Sequence, residues 1–169
     1  RVGGDRARIR PDPRNQGAEP AATAEGEWRN AHPNHSRPQM QVHLITTTEA
    51  LEALRNDWVA LQDRMPGTSV FMTWEWQFIW WKHYGQGQPL RVLVVKDGER
   101  VLGILPLYLQ RRRVFKFFPV RLLRNVGTGG DTTPDDLDPL IDPDQVEAVA
   151  AALVDHLLTQ PLGQDLTCL

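Results

Sequence analysis

LRVLVVKDGERVLGILPLYLQ, Leu90 to Gln110, is the stretch whose reading decides the fold. Two apolar runs flank Lys96-Asp97-Gly98-Glu99. Asp-Gly between such runs is a strong hairpin signal, because both residues tolerate the positive φ that a two-residue turn imposes. LRVLVV, rich in β-branched residues, predicts a buried strand, and RVLGILPLYLQ returns antiparallel to it. Pro106 lacks a ladder donor, so it marks an edge, a bulge or the strand's frayed end.

Before the hairpin and the loop GQGQP stands FMTWEWQFIWWKHYG, Phe71 to Gly85, with four of the chain's six tryptophans. At helical spacing Trp74, Phe78 and Trp81 share one face, while Trp76, Trp80 and Tyr84 share a nearly opposite one. Glu75 and Lys82 mark a narrow polar ribbon between them. Three readings compete: a core helix, a platform for sugar or nucleotide rings, and a membrane-interface anchor. An anchor calls for many cations beside the aromatics, and this segment has only Lys82. Clustered aromatics at this spacing usually pack, so the favoured reading is a core helix with a second apolar face awaiting a cover. One stripe should then be more exposed than the other.

Further toward the N-terminus, TTTEALEALRNDWVALQDRM places Leu51, Leu54, Trp58, Leu61 and Met65 on one helical stripe. Thr46 with Glu49 fits a capping box, with Thr47 and Thr48 as equal alternatives, and Pro66-Gly67 ends the helix. QVHLIT alternates like a half-buried strand. Residues 1–40 are rich in Arg, Pro, Gly, Asn and Ala without periodicity, which predicts a disordered lead before an ordered domain over 41–169.

Toward the C-terminus, RRRVFKFFPVRLLR adds one or two strands and GTGGDTTPDDLDPLID is loop by composition. Asp142-Pro143-Asp144 opens a helix that runs to Pro161, and DLTCL begins another strand. The element order is β-α-α-β-β-β-loop-α-β, an α/β (α+β) domain with a mixed, largely antiparallel sheet and flanking helices.

The totals narrow the function classes. In 169 residues, 19 Lys+Arg face 21 Asp+Glu, a net charge of −2. No overall field therefore draws the chain to nucleic acid or an anionic membrane, and a polyanion site would be local. One cysteine, Cys168, excludes an internal disulfide framework. No run reaches transmembrane length and no signal-peptide core is visible, so the expected location is cytoplasmic. Starting at Arg1 and ending on DLTCL, the sequence reads as a fragment cut at both ends.

Charge is strongly segregated. Gln110–Arg124 holds six cations and no acid; Asn125–Asp144 holds six aspartates and no cation. The halves could neutralise each other. Alternatively, the basic half could grip phosphates or defend a strand edge. The aspartates fail the EF-hand pattern, since Asp136 stands where Gly is needed and Asp142 where the closing Glu is needed, so no metal is expected. Ser36 and Ser69 lie in no nucleophile elbow, and no histidine pair has zinc-ligand spacing.

RNVGTG, Arg124 to Gly129, fits the Arg/Gln-x-x-Gly-x-Gly/Ala pattern with which GNAT-type acetyltransferases cradle the coenzyme A pyrophosphate. That chemistry needs backbone N–H groups at a helix N-terminus. Pro134 and Pro139 oppose an immediate helix, so an ordinary Gly-rich loop is the competing reading. On a larger scale, VFMTWEWQFIWWKHYG, LRVLVVKDGERVLGILPLYLQRRR and LLRNVGTGGDTTPDDLDPLID together resemble the CelD/BcsL-like (BioF2-like) acetyltransferase domain of the GNAT superfamily, over roughly residues 42–169. The resemblance implies a GNAT-like fold and acyl transfer from acetyl-CoA or another acyl-CoA to an amine or hydroxyl, without a metal. The acceptor would be a small molecule or saccharide, often of exopolysaccharide or cell-envelope metabolism. It implies further that this is the first half of a tandem whose second half is the natural partner. Arg124, Gly127 and Gly129 are then candidate cofactor-binding residues, and Glu75, Asp131 and Asp138 candidate catalytic groups. A non-catalytic module recognising a glycan or a partner domain is the alternative. Neither nucleic-acid binding nor a membrane span is expected.

Overall fold

Among the described residues, seven strands and four helices form from the hairpin outward. In chain order they are β1 (Gln41–Ile45), α1 (Thr48–Ala53), α2 (Arg55–Gln62), α3 (Trp74–Tyr84), β2 (Val92–Asp97), β3 (Arg100–Leu105), β4 (Leu107–Val114), β5 (Phe118–Asn125), β6 (Leu140–Ile141), α4 (Val146–Thr159) and β7 (Leu166–Cys168). The computed structural model describes residues 40–115, 117–129, 134 and 136–168. The lead over 1–39 and the candidate Asp131 lie outside the described residues. The fold is mixed α+β with largely antiparallel sheets. No helix among the described residues is long and apolar enough to cross a membrane.

The Gly98-Glu99 turn, with Gly98 at φ 58°, joins β2 to β3, Asp97 standing opposite Arg100 at the end of the ladder, and a bulge falls between Val95 and Lys96. β1 pairs antiparallel with β2, and β6 with β3, giving the sheet order β1-β2-β3-β6. This sheet is covered on both faces. Val92, Val94 and Ile104 belong to the cluster built with α1, α2 and α3. Leu93, Val95 and Leu105 belong to the cluster that includes Val149 and Leu153 of α4. Two-sided burial explains why LRVLVV reads as a continuous apolar run rather than an alternating one. Gly103 lets α4 approach, since a Cβ there would stand 2.4 Å from a Val149 methyl.

Pro106 divides one long strand into β3 and β4. Beyond it β4 leaves the first sheet and pairs antiparallel with β5, to which β7 adds in parallel. The partner strand is divided too: β5 ends at Asn125, the chain makes an excursion, and β6 resumes opposite β3. The β4–β5 ladder runs from Leu107↔Asn125 out to Val114↔Phe118, where a short connection turns the chain with Phe115 at φ 50°. Its inner half is buried and its outer half is solvent-exposed.

The predicted first helix is interrupted at Leu54, whose N–H is shared between the carbonyls of Ala50 and Leu51. Leu51, Leu54, Trp58 and Leu61 are nevertheless all buried on one side. Among the three cap candidates, Thr47 accepts from the Ala50 N–H at 3.2 Å, which leaves the Thr48 hydroxyl to accept from the Trp81 indole at 3.0 Å. Asp142 caps the Pro143–Gln145 turn that leads into α4.

The tryptophan helix is core. Trp58 donates to the Met72 carbonyl at 3.0 Å and Trp74 to the Leu51 carbonyl at 3.4 Å, so buried indoles find partners in the frame itself. Trp74, Phe78 and Trp81 are buried together. The opposite stripe is divided rather than uniformly open. Trp80 is buried beside Tyr108, with ring centroids 5.5 Å apart. Trp76 is half-buried against Phe71, and only Tyr84 is exposed. A long-range partner on β4 supplies the cover that helical periodicity alone left unassigned.

Candidate functional site

The two strand interruptions face each other and open the molecule between its sheets. Where β5 ends at Asn125 and before β6 begins, a cleft of about 270 Å³ lies beneath α4. Its walls are Leu105, Leu137, Pro139, Ile141, Leu153 and Leu157, with Asp138 beside them. Asn125 and Asp138 are the polar residues within this otherwise apolar lining. Asn125 donates from Nδ2 to the Leu137 carbonyl at 3.2 Å, whereas its Oδ1 is buried without a hydrogen-bond partner among the described residues. An unpaired buried amide oxygen is costly unless a ligand N–H or O–H completes it.

β5 and β7 run parallel, connected through α4.

Beyond the end of β5, the Gly-rich turn is tied down by hydrogen bonds. The Tyr108 hydroxyl donates to the Thr128 carbonyl at 2.7 Å, and Thr128 donates from its own hydroxyl to the Asn125 carbonyl at 2.7 Å. Burial pushes the Tyr108 hydroxyl above its usual range against the opposing pull of Arg124, so it stays a donor. Gly127 has φ 102°, and a Cβ on it would stand 2.7 Å from the Trp76 ring. Both the backbone conformation and the close approach require glycine there.

The candidate residues fall into separate places. Gly127, Gly129 and Arg124 gather at the turn, where a Cβ on Gly129 would be 3.0 Å from the Tyr108 hydroxyl and Arg124 donates to Gln110 Oε1 at 3.1 Å. Asp138 is exposed at the cleft, one residue after the carbonyl that holds Asn125. Glu75 is not part of this site. It lies on the open side of α3, bound to Arg55 at 2.9 Å, and that hydrogen bond lowers its pKa.

Among the described residues no helix starts at RNVGTG, and the next helical turn begins at Pro143. That turn leads into α4 with carboxylates at its own start. Asp142 accepts from the Asp144 N–H at 3.1 Å and takes Arg100 at 2.7 Å and Arg64 at 3.1 Å. Burial raises the Asp142 pKa, but the Asp144 N–H and the two guanidinium groups outweigh it and hold the carboxyl below its usual value. Among the described residues no ion pair joins the basic block to the aspartate run: Arg121 pairs with Asp165 instead. Nor is there a cluster of His, Cys, Asp and Glu fit to hold a metal among them.

Sequence reasoning passed over Asn125, Tyr108 and Leu137. Asn125 sits inside a quoted motif, but its orphaned oxygen depends on the excursion that follows, which has no local signature. Comparisons with family models, with curated proteins and with solved structures find no match for the chain.

Proposed function

We propose that the chain is one half of an acyl-CoA-dependent N- or O-acyltransferase of the GNAT type. It would use acetyl-CoA or another acyl-CoA as cosubstrate and a small-molecule or saccharide acceptor of exopolysaccharide or cell-envelope metabolism. The observation that carries the reading is the split between the sheets: an apolar cleft at the end of β5 with an amide oxygen, Asn125 Oδ1, that has no partner among the described residues. The arm of acyl-CoA is a narrow, largely apolar chain interrupted by amides, and an amide N–H is the donor that Asn125 lacks. The family-like segments in their order, together with the mixed, largely antiparallel fold, support the same assignment.

In this chemistry the acceptor's lone pair attacks the thioester carbonyl, the C–S bond breaks, coenzyme A leaves as thiolate and the acceptor proton passes to a base. Asp138 is the carboxylate at the cleft suited to receive that proton. The Gly127–Gly129 turn follows Asn125, with Gly127 beside Leu137 of the cleft wall, and this turn and Arg124 would meet the cofactor's phosphates. Titration calorimetry with acetyl-CoA, followed by thiol release with amine and sugar acceptors, tests the reading. Asn125→Leu should weaken binding about tenfold, the scale of one hydrogen bond to a buried group. Absence of binding heat and of released thiol would remove the proposal.

The second reading, a non-catalytic module, draws on Glu75 being occupied by Arg55. Acyl-CoA binding without turnover of any acceptor would favour it.

A further inference from the structure

The outer half of the β4–β5 arm presents a combination that neither the fold nor the cleft uses. Phe115 and Phe117 are each 83 % exposed, and Phe118 beside them is 66 % exposed. Three phenylalanines within four residues at a hairpin tip form an apolar point, whereas soluble surfaces scatter such side chains singly. Directly behind the tip, Arg111, Arg112 and Arg113 are exposed on β4, and no ion pair joins them to an acid among the described residues. Phe115 also occupies the left-handed region, φ 50°. A turn selected only for turning would carry Gly or Asn there, so a bulky apolar residue is retained against local preference.

We infer that this arm docks on an anionic lipid surface, with the phenylalanine tip entering the interface and the arginines at headgroup level. Spacing supports it: at about 3.3 Å per residue, Arg113 and Arg111 lie roughly 7 to 13 Å behind Phe115, which matches the depth of about 5 to 10 Å that interfacial apolar groups reach. Charge supports it as well, because Gln110–Arg124 contains no acid. The molecule's net charge of −2 gives no general attraction to such a surface, so the attraction is confined to the arm. Single-stranded nucleic acid is the weaker match, since stacking on bases calls for aromatics along a cationic groove rather than gathered at a point. The inference does not rest on the acyltransferase reading.

Vesicle sedimentation with the whole chain tests it. The protein should pellet with vesicles of about 30 % phosphatidylglycerol at about 50 mM salt, bind pure phosphatidylcholine far less, and be released by about 300 mM salt. Arg111→Gln, Arg112→Gln and Arg113→Gln together should lower partitioning on the order of 100-fold, at about fivefold per charge. Phe115→Gly with Phe117→Ser should abolish sedimentation while circular dichroism and thermal unfolding show a folded protein. Equal binding to neutral and anionic vesicles would overturn the proposal. So would failure of the folded protein to sediment, or wild-type binding by the tip variant. Tip-dependent self-association, or tighter binding to a single-stranded oligonucleotide than to anionic vesicles, would assign the arm to those partners instead.

Discussion

Two aromatic clusters some thirty residues apart in sequence meet opposite fates. In and around α3, Trp58, Trp74 and Trp81 are buried and their indole N–H groups reach main-chain carbonyls or a threonine hydroxyl. At the tip of the β4–β5 arm, phenylalanines stand in solvent on the side of a basic strand. Local aromatic density is high in both. What separates them is whether the backbone nearby supplies a wall: α1, α2 and β4 surround α3, whereas the arm extends beyond the sheet that begins it. The polar atom of an indole also lets tryptophan be fixed in orientation, which phenylalanine cannot match.

That contrast can be broken by substitution. Trp58→Ala, removing a fully buried indole and its bond to Met72, should cost about 3–5 kcal/mol; denaturant titration that shows less than 1 kcal/mol would show that the cluster is not the structural centre. Asp142→Asn should cost about 2–3 kcal/mol, less than a fully buried ion pair, because Arg64 and Arg100 are partly exposed. The folded carboxyl has the lower pKa, so its stabilisation is complete above the unfolded value and is lost as pH falls through the folded one. The wild type should therefore weaken below about pH 4, and the variant should show a flatter acid limb in thermal unfolding. Gly127→Ala, forcing a methyl toward Trp76 at positive φ, should cost about 1–3 kcal/mol and redshift the tryptophan emission. At the arm the sign reverses: Phe115→Gly should stabilise by about 0.5–1 kcal/mol, read as a higher melting temperature, since it relieves the left-handed φ and loses little burial. A tip substitution as damaging as one in the core would erase the distinction.

How far the sequence foretold this structure follows from the range of the forces involved. The Gly98-Glu99 turn, the Thr47 cap and the Asp142 cap are local, and residues within a few positions announce them. The division at Pro106 was visible only as an irregularity, because what it does depends on where β6 returns. β6 itself, two residues inside an Asp- and Pro-rich stretch, is too short for any period to register. Which of the two aromatic stripes on α3 is covered stays open in the sequence, because the cover of Trp80, Tyr108, lies on another element. The cleft inherits the same difficulty. Arg124, Gly127, Gly129 and Asp138 were singled out by composition and motif, but the atom that gives the cleft its chemistry, Asn125 Oδ1, is defined by a missing partner, and a missing partner leaves no mark on a sequence.

The pairing of β1 with β2 also governs the order in which the molecule can assemble. Gln41 lies opposite Lys96, with three helices threaded between them, whereas the β2–β3 hairpin closes across four residues, Asp97 to Arg100. Closing the long loop carries the greater entropic penalty, so the hairpin is the natural nucleus and β1 the late arrival. In native-state hydrogen exchange, Val94 should exchange only through global unfolding, while the β1 amides open earlier through a smaller fluctuation that peels this outer strand away and leaves the hairpin intact.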